Sequence, residues 1–214
     1  MIIANNISQT DLVYMTTHQL RNFFPVSDEE SLLMMQCMER VMNRVETCFD
    51  GTTNKYYHRD GHVYFNPFHS GQYCIYLYWF SRTIFEGGNS FLADKIYYLN
   101  KIMHGCDMFY EVELPEVFML DHPVGSVIGR GTFGNGFTFG QTCTIGNNNG
   151  IYPVIGRNVT LCANASIIGN CHIGDNVTIG AYACVKDQDV PASSIVFGQS
   201  PNLIIKTKKL NTDN

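Results

Sequence analysis

Residues 155–185 read IGRNVT-LCANAS-IIGNCH-IGDNVT-IGAYAC-V, a run in which an aliphatic residue returns at every sixth position. The same register extends towards the N-terminus after one ten-residue step. Its ten positions are Val127, Phe133, Phe139, Ile145, Ile155, Leu161, Ile167, Ile173, Ile179 and Val185. Neither a helix nor an ordinary strand has a period of six, so the run predicts a solenoid in which each hexad supplies one short strand and one corner.

Three such hexads make one triangular coil, and successive coils stack to bury the aliphatic ladder. We expect coils at 127–144, 145–166 and 167–184, with residues 147–150 bulging out of the second coil. Glycine often follows the ladder position directly, which suits a sharp turn between short strands. A prism this short predicts side-by-side association, most simply as a trimer.

The first 105 residues follow a different pattern, in which apolar residues recur every three or four positions, as in amphipathic helices. The clearest helix begins after the capping box Ser27-Asp28-Glu29-Glu30 and runs to about Phe49. We expect three more helices, at about 10–24, 70–85 and 90–104. The stretch Asp50 to His69 is predicted to be an irregular loop.

These two patterns define the predicted domains. The chain is expected to be mixed α and β, with an α-helical domain at 1–105, a β-helix domain at 106–205 and a tail at 206–214.

Composition and charge exclude several classes of protein. Of the 214 residues, 45% are hydrophobic and only 15% are charged, so the chain is predicted to fold. A net charge of −5 argues against binding to nucleic acid or anionic lipid. The chain has neither a long uncharged apolar stretch nor a signal-peptide pattern, so we expect a cytoplasmic protein without membrane insertion. The eight cysteines form no Cys-x-x-Cys pair, and we expect no metal site.

Two short motifs flank the hexads. Leu120-Asp121-His122-Pro123-Val124-Gly125 resembles the Leu-Asp-His-x-x-Gly of the hexapeptide-repeat acyltransferases, and Phe197-Gly198-Gln199-Ser200-Pro201 is similar to their Gly-x-Pro-Ala terminator. The resemblance spans roughly Gly105 to Ile205 and is to the serine acetyltransferase branch of that family. It implies a left-handed parallel β-helix and the transfer of an acetyl group from acetyl-CoA to a hydroxyl, with no metal.

A hydroxyl acceptor has a pKa far above 7, so its attack on a thioester needs a positioned base. The resemblance gives that role to His122. It also gives Asp107, fifteen residues earlier, the task of orienting the histidine and stabilising its charged form. From the residues alone the pair is much less specific, because histidine is commonly an ordinary surface or core residue.

In this family acetyl-CoA lies in the groove between neighbouring prisms, held mainly by backbone groups and small corner residues. The cofactor-binding residues that the resemblance implies by position are Gly140, Ala163, Ala181 and Gly198. Lysines near the C-terminus could meet the 3′-phosphate by charge, although a solvated tail explains them equally well. They are Lys206, Lys208 and Lys209.

The chain departs from serine acetyltransferases in a loop that carries their Arg-His-Pro segment, whose arginine holds the serine carboxylate. Ile151-Tyr152-Pro153 stands there, and isoleucine cannot pair with a carboxylate. We therefore expect the acceptor to be a hydroxyl of a sugar or polysaccharide precursor, with L-serine as the alternative. The expected substrate-binding residues are Tyr152, Asn148 and His69. Structural roles stay open for them, because Asn148 and Tyr152 belong to an asparagine-rich turn and His69 could cap a helix.

Two further classes of protein could use the same prism. A carbonic anhydrase on the same prism would need three converging histidines, but the repeats contain only His172. A non-catalytic scaffold would need only the prism, and Asp107 and His122 at the family's spacing argue against it. The helical region joins two trimers in serine acetyltransferases but is shorter here, so we expect a homotrimer, with a dimer of trimers as the larger alternative.

Overall fold

The computed structural model describes residues 1–208, which form two compact units that divide between Glu111 and Val112. Within the predicted tail, Lys206 and Thr207 belong to a strand, whereas Lys209 and the residues after it lie outside the described part. Among the described residues, no helix combines the length and the hydropathy that a membrane span requires.

The first unit contains four α-helices close to the predicted positions. They are α1 (Gln9–Arg21), α2 (Asp28–Asp50), α3 (Ser70–Glu86) and α4 (Ser90–His104). The first helix ends three residues before its predicted end at Phe24. Pro25 explains the early end, because a proline disfavours helical geometry in the residue before it. Helix α3 is buried on nearly every face and forms the centre of this unit.

A small sheet lies in the region that was predicted to be an irregular loop. Strand β1 (Ile2–Ile3) runs parallel to β3 (His62–Phe65), and β2 (His58–Arg59) pairs antiparallel with β3. The prediction was wrong here. The hairpin signal is Asp60-Gly61, whose φ angles of 52° and 75° match the two-residue turns that join antiparallel strands. One more short strand, β4 (Asp107–Met108), ends the unit.

The predicted capping box of α2 is confirmed. The Ser27 Oγ accepts a hydrogen bond from the Glu30 N–H at 3.1 Å, and the Glu30 carboxylate accepts one from the Ser27 N–H at 2.9 Å. Two backbone donors that no helical carbonyl can reach are thereby satisfied.

The Ser27→Ala variant is expected to lower the free energy of unfolding by about 1 kcal/mol, because one cap hydrogen bond is lost. Thermal unfolding followed by circular dichroism measures the change. Ser90→Ala is the matched control, since Ser90 is an exposed first helical residue whose helix is capped by Asn89 instead. Equal losses in the two variants would contradict the capping role.

The second unit is a prism with three parallel sheets, one on each side. The first sheet contains β5 (Phe118–Leu120), β8 (Phe137–Phe139), β11 (Thr160–Leu161), β14 (Thr178–Ile179) and β16 (Ser194–Phe197), with β17 (Ile204–Thr207) added antiparallel at its end. The second contains β6 (Val127–Ile128), β9 (Thr144–Gly146), β12 (Ser166–Ile168) and β15 (Cys184–Lys186). The third contains β7 (Thr132–Phe133), β10 (Val154–Ile155) and β13 (His172–Ile173). The fold is the expected left-handed β-helix, with about five turns.

The strand register confirms the predicted coil. Leu161 pairs with Ile179, eighteen residues later, and with Phe139, twenty-two residues earlier, across the inserted loop. Ladder side chains from Phe139 to Val185 are buried, and their stacked contacts form the core of the prism.

The ladder prediction was wrong at Val127, whose side chain is 46% exposed. Val127 pairs with Thr144 and Ile128 with Ile145, so this coil has seventeen residues, one fewer than the predicted eighteen. Ile128 therefore takes the buried position. The prism also begins earlier than residue 127, since β5 already belongs to its first sheet.

Candidate active site

His122 lies in a tight turn directly after β5. Its φ of 52° is in the left-handed region, which residues other than glycine and asparagine rarely adopt. The His122 carbonyl oxygen accepts a hydrogen bond from the Val124 N–H at 2.8 Å, which holds the turn. The imidazole is 90% exposed, and its Nε2 lies 3.8 Å from the Asp121 carboxylate. The ring is therefore open to a substrate and has an acidic neighbour.

A cavity of about 270 Å³ lies beside this turn. Its lining residues are Asp121, Thr138, Gly140, Gln141, Thr160, Leu161, Cys162 and Ala163. A Cβ on Gly140 would lie 3.5 Å from both the Asp121 carbonyl oxygen and the Ala163 amide nitrogen, so these three residues enclose a narrow space. The cavity has the size and the mixed polarity of a site for part of a small molecule.

The four predicted cofactor-binding residues lie at the same corner of the prism as His122. Gly140, Ala163, Ala181 and Gly198 each follow a strand of the first sheet, after β8, β11, β14 and β16, and His122 follows β5. Neighbouring strands are about 4.8 Å apart, so the five levels extend over roughly 19 Å. The structure thus brings the candidate base and the small residues together along one corner, which we name the His122 corner.

Ser126 supports the His122 corner and was missed in the sequence. Its hydroxyl is buried, donates a hydrogen bond to the Gly140 carbonyl oxygen at 2.7 Å and accepts one from the Cys143 N–H at 2.9 Å. These bonds fix the backbone of the turn that follows β8. Only its place in the turn after the Leu-Asp-His motif could have indicated this role.

Asp107 belongs to the first unit, where both of its carboxylate oxygens accept hydrogen bonds. The Tyr97 hydroxyl donates to one oxygen at 2.6 Å, and the Lys101 ammonium donates to the other at 2.5 Å. Burial, with the Asp107 hydrogen bond as a second cause, raises the pKa of Tyr97 to about 12. The same carboxylate raises the pKa of Lys101. The pairing of Asp107 with His122 stays a prediction.

Asn148 lies in the inserted loop, which is a tight turn, and Tyr152 follows directly after that turn. Asn148 and Ile151 exchange two backbone hydrogen bonds at 3.0 and 3.1 Å, while the Tyr152 side chain is 41% exposed. The Asn148 amide donates to the Asp187 carboxylate at 2.6 Å, and Asp187 also accepts from the Asn170 N–H. Asp187, which was missed in the sequence, therefore ties the loop to the next coils. This bond occupies one of the Asn148 groups expected to bind substrate.

His69 lies in the first unit, where it caps a helix. Its Nδ1 accepts a hydrogen bond from the Gln72 N–H at 3.3 Å, at the first turn of α3. The capping interpretation therefore accounts for one ring nitrogen of His69.

Within residues 1–208, no group of three His, Cys, Asp or Glu side chains could hold a metal ion.

Known proteins resemble this chain in sequence. The family profile "Bacterial transferase hexapeptide (six repeats)" matches residues 152–187. The serine acetyltransferases of Staphylococcus aureus and Staphylococcus epidermidis are each 29% identical to it over 154 residues. That region covers 64% of this chain and 66% of the length of each relative.

Solved structures resemble the chain over a larger share of its length. Serine acetyltransferase from Neisseria gonorrhoeae matches with a TM-score of 0.74 and 27% identity, over 96% of this chain and 81% of that one. The enzyme from Brucella abortus matches in fold, with a TM-score of 0.73, 18% identity and coverage of 95% and 85%. The predicted resemblance to the hexapeptide-repeat acyltransferases is thereby confirmed, and the relatives are named as acetyltransferases. The chain is a hexapeptide-repeat protein that resembles the serine acetyltransferases in both sequence and fold.

Proposed function

We propose that this protein is an acetyl-CoA-dependent O-acetyltransferase in which His122 is the general base and Asp107 orients it. The observation that carries the proposal is the His122 corner. An exposed imidazole, a cavity of about 270 Å³ and four small residues follow successive strands of one sheet. This arrangement suits an elongated donor whose reactive end lies beside a base.

The proposed reaction needs two proton transfers, one to His122 and one from it. Neutral His122 takes the proton of the acceptor hydroxyl as the oxygen bonds to the acetyl carbonyl carbon. The tetrahedral intermediate then collapses, the carbon–sulfur bond breaks, and the imidazolium returns the proton to the leaving thiolate. Negative charge near the ring stabilises the imidazolium between these steps, and the Asp121 carboxylate 3.8 Å away contributes to it.

The donor would extend along the His122 corner, from the base towards Gly198. Gly140 and Ala163 line the cavity beside the base, and Ala181 and Gly198 are exposed further along. Small side chains there let a ligand approach the backbone amides closely. The proposal includes a homotrimer, because in the related family the donor groove lies between neighbouring prisms.

L-serine is the acceptor that the relatives favour, in place of the sugar that the sequence predicts. The curated relatives are serine acetyltransferases, and one solved structure with 25% identity and a TM-score of 0.71 is the Neisseria gonorrhoeae enzyme in complex with serine. The match with that structure covers 92% of this chain and 83% of the Neisseria gonorrhoeae chain.

A sugar hydroxyl is the second candidate because of one specific observation. The inserted loop and the two residues after it, 147–152, carry no lysine or arginine that could pair with a serine carboxylate. An uncharged acceptor would need no such partner, and the half-exposed Tyr152 offers a hydroxyl for hydrogen bonding.

Thiol release from acetyl-CoA tests both the reaction and the acceptor. We expect the purified protein to release CoA faster with L-serine than with a panel of sugars and nucleotide sugars. Serine methyl ester, which lacks the carboxylate, is the matched control, because a cation that holds the carboxylate makes the acid the better substrate. Release with a sugar but not with serine would favour the second candidate, and no release with any acceptor would contradict the proposed function.

A further inference from the structure

Two residues of α4 hold the carboxylate of Asp107, one at each oxygen. Tyr97 and Lys101 are four residues apart and therefore lie on one face of the helix. The Lys101 ammonium also lies 5.9 Å from the centre of the Tyr97 ring, so the three side chains form one cluster. Hydrogen bonds to a charged group are stronger than those between neutral groups, and two of them fix the plane of a carboxylate.

The same face of α4 also binds a side chain of the segment that follows Asp107. The Tyr110 hydroxyl donates to the Asp94 carboxylate at 2.7 Å, and Asp94 lies one helical turn before Tyr97. The helix itself is rigidly seated, because Leu92, Ile96 and Leu99 on its opposite side are completely buried. A carboxylate held from a packed helix keeps one orientation.

The Asp107 carboxylate can accept further hydrogen bonds in addition to the two from α4. A carboxylate has about four lone-pair positions, of which Tyr97 and Lys101 use two. Its side chain is 24% exposed, so the remaining positions are accessible. An imidazole N–H could therefore be added without displacing either residue of α4.

We propose that Tyr97 and Lys101 are positioning residues for the acetyl transfer, because they fix the orientation in which Asp107 meets the general base. The inference rests on the proposed function, which assigns Asp107 to His122. Neither residue touches the reacting atoms in this scheme. Each acts through Asp107, so its contribution should fall on kcat and should disappear when Asp107 can no longer serve.

The test measures kcat and KM for acetyl-CoA and for the acceptor in the full-length protein. Tyr97→Phe is expected to lower kcat about tenfold, the size of one charge-assisted hydrogen bond, and to leave both KM values unchanged. Lys101→Met is expected to lower kcat similarly, whereas Lys101→Arg, which keeps the charge, should retain most of it. Tyr98→Phe is the matched control, because it removes a hydroxyl from the next residue, which is 54% exposed.

A double-mutant cycle separates positioning from a general structural effect. In an Asp107→Asn background, Tyr97→Phe is expected to have almost no further effect on kcat, because both changes impair the same carboxylate. Additive losses, or an unchanged kcat in the single Tyr97→Phe variant of an active protein, would overturn the inference alone. A wild-type protein with no turnover would overturn the proposed function and this inference with it.

Discussion

The His122→Ala variant is expected to lose about three orders of magnitude in kcat, the middle of the range for removal of a general base. Its fold should be unchanged, because the imidazole is 90% exposed and its nearest charged neighbour, Asp121, is also exposed. Histidine tolerates a φ of 52° somewhat better than alanine, but both carry a Cβ, so the substitution should add little strain to the turn. Thiol release measures kcat, and thermal unfolding verifies the fold.

His172 provides the matched control for that variant. It is also an exposed histidine beside a carboxylate, with its Nδ1 3.2 Å from Asp189, but it lies in β13 of the third sheet. His172→Ala should therefore keep its full kcat. A His122→Ala protein that retains more than roughly a tenth of the wild-type kcat would refute the catalytic assignment, since a general base contributes at least about a hundredfold.

The prism was predictable because one physical constraint repeats along it. Every ladder residue must point into the core, and a period of six satisfies this for three sides. The failure at Val127 has a local cause. The first coil is one residue short, and only its pairing with Thr144 reveals that Ile128 is the buried residue. The hairpin at Asp60-Gly61 was missed, although that dipeptide is a strong turn signal, because the flanking strands have only two and four residues.

The candidate site was predictable to a smaller extent. His122 was found through a motif, and the small residues were found through their spacing along the coil. Both signals depend on residues at fixed intervals. Tyr97, Lys101 and Ser126 were not found, because each acts through a partner that no repeat specifies. Asp187 is more distant still, since its bond to Asn148 joins residues 39 positions apart. Supporting residues of this kind become visible only when the chain is folded.

The sequence and the relatives favour different acceptors. The missing arginine is a fact of the sequence, and electrostatics argues from it against a carboxylate. Relatives named as serine acetyltransferases support the opposite conclusion. The two agree only if a cation from elsewhere meets the serine carboxylate, which is why the comparison of serine with its methyl ester is informative.

The second large effect concerns the glycines that follow the ladder. A Cβ on Gly134 would lie 2.6 to 2.8 Å from backbone atoms of Gly156 and Arg157 in the next coil. Backbone cannot move aside as a flexible side chain can, so Gly134→Ala must push two coils apart. We expect the free energy of unfolding to fall by about 3 kcal/mol, the upper end of the usual cost of overpacking. The melting temperature should fall by about 6 to 12 °C for a chain of this size.

Gly146→Ala is the matched control, because Gly146 also directly follows a ladder residue. A Cβ there would meet only side-chain atoms, Thr144 Cγ2 at 3.9 Å and Ile168 Cγ1 at 4.0 Å, which is ordinary van der Waals contact. This variant should be as stable as the wild type or slightly more stable, since alanine restricts the unfolded chain more than glycine does. Urea unfolding followed by circular dichroism compares the variants at one protein concentration, because association would make stability depend on concentration. If Gly134→Ala were as stable as Gly146→Ala, the contact between neighbouring coils would be looser than the structure indicates, and close backbone packing would not explain why glycine follows the ladder.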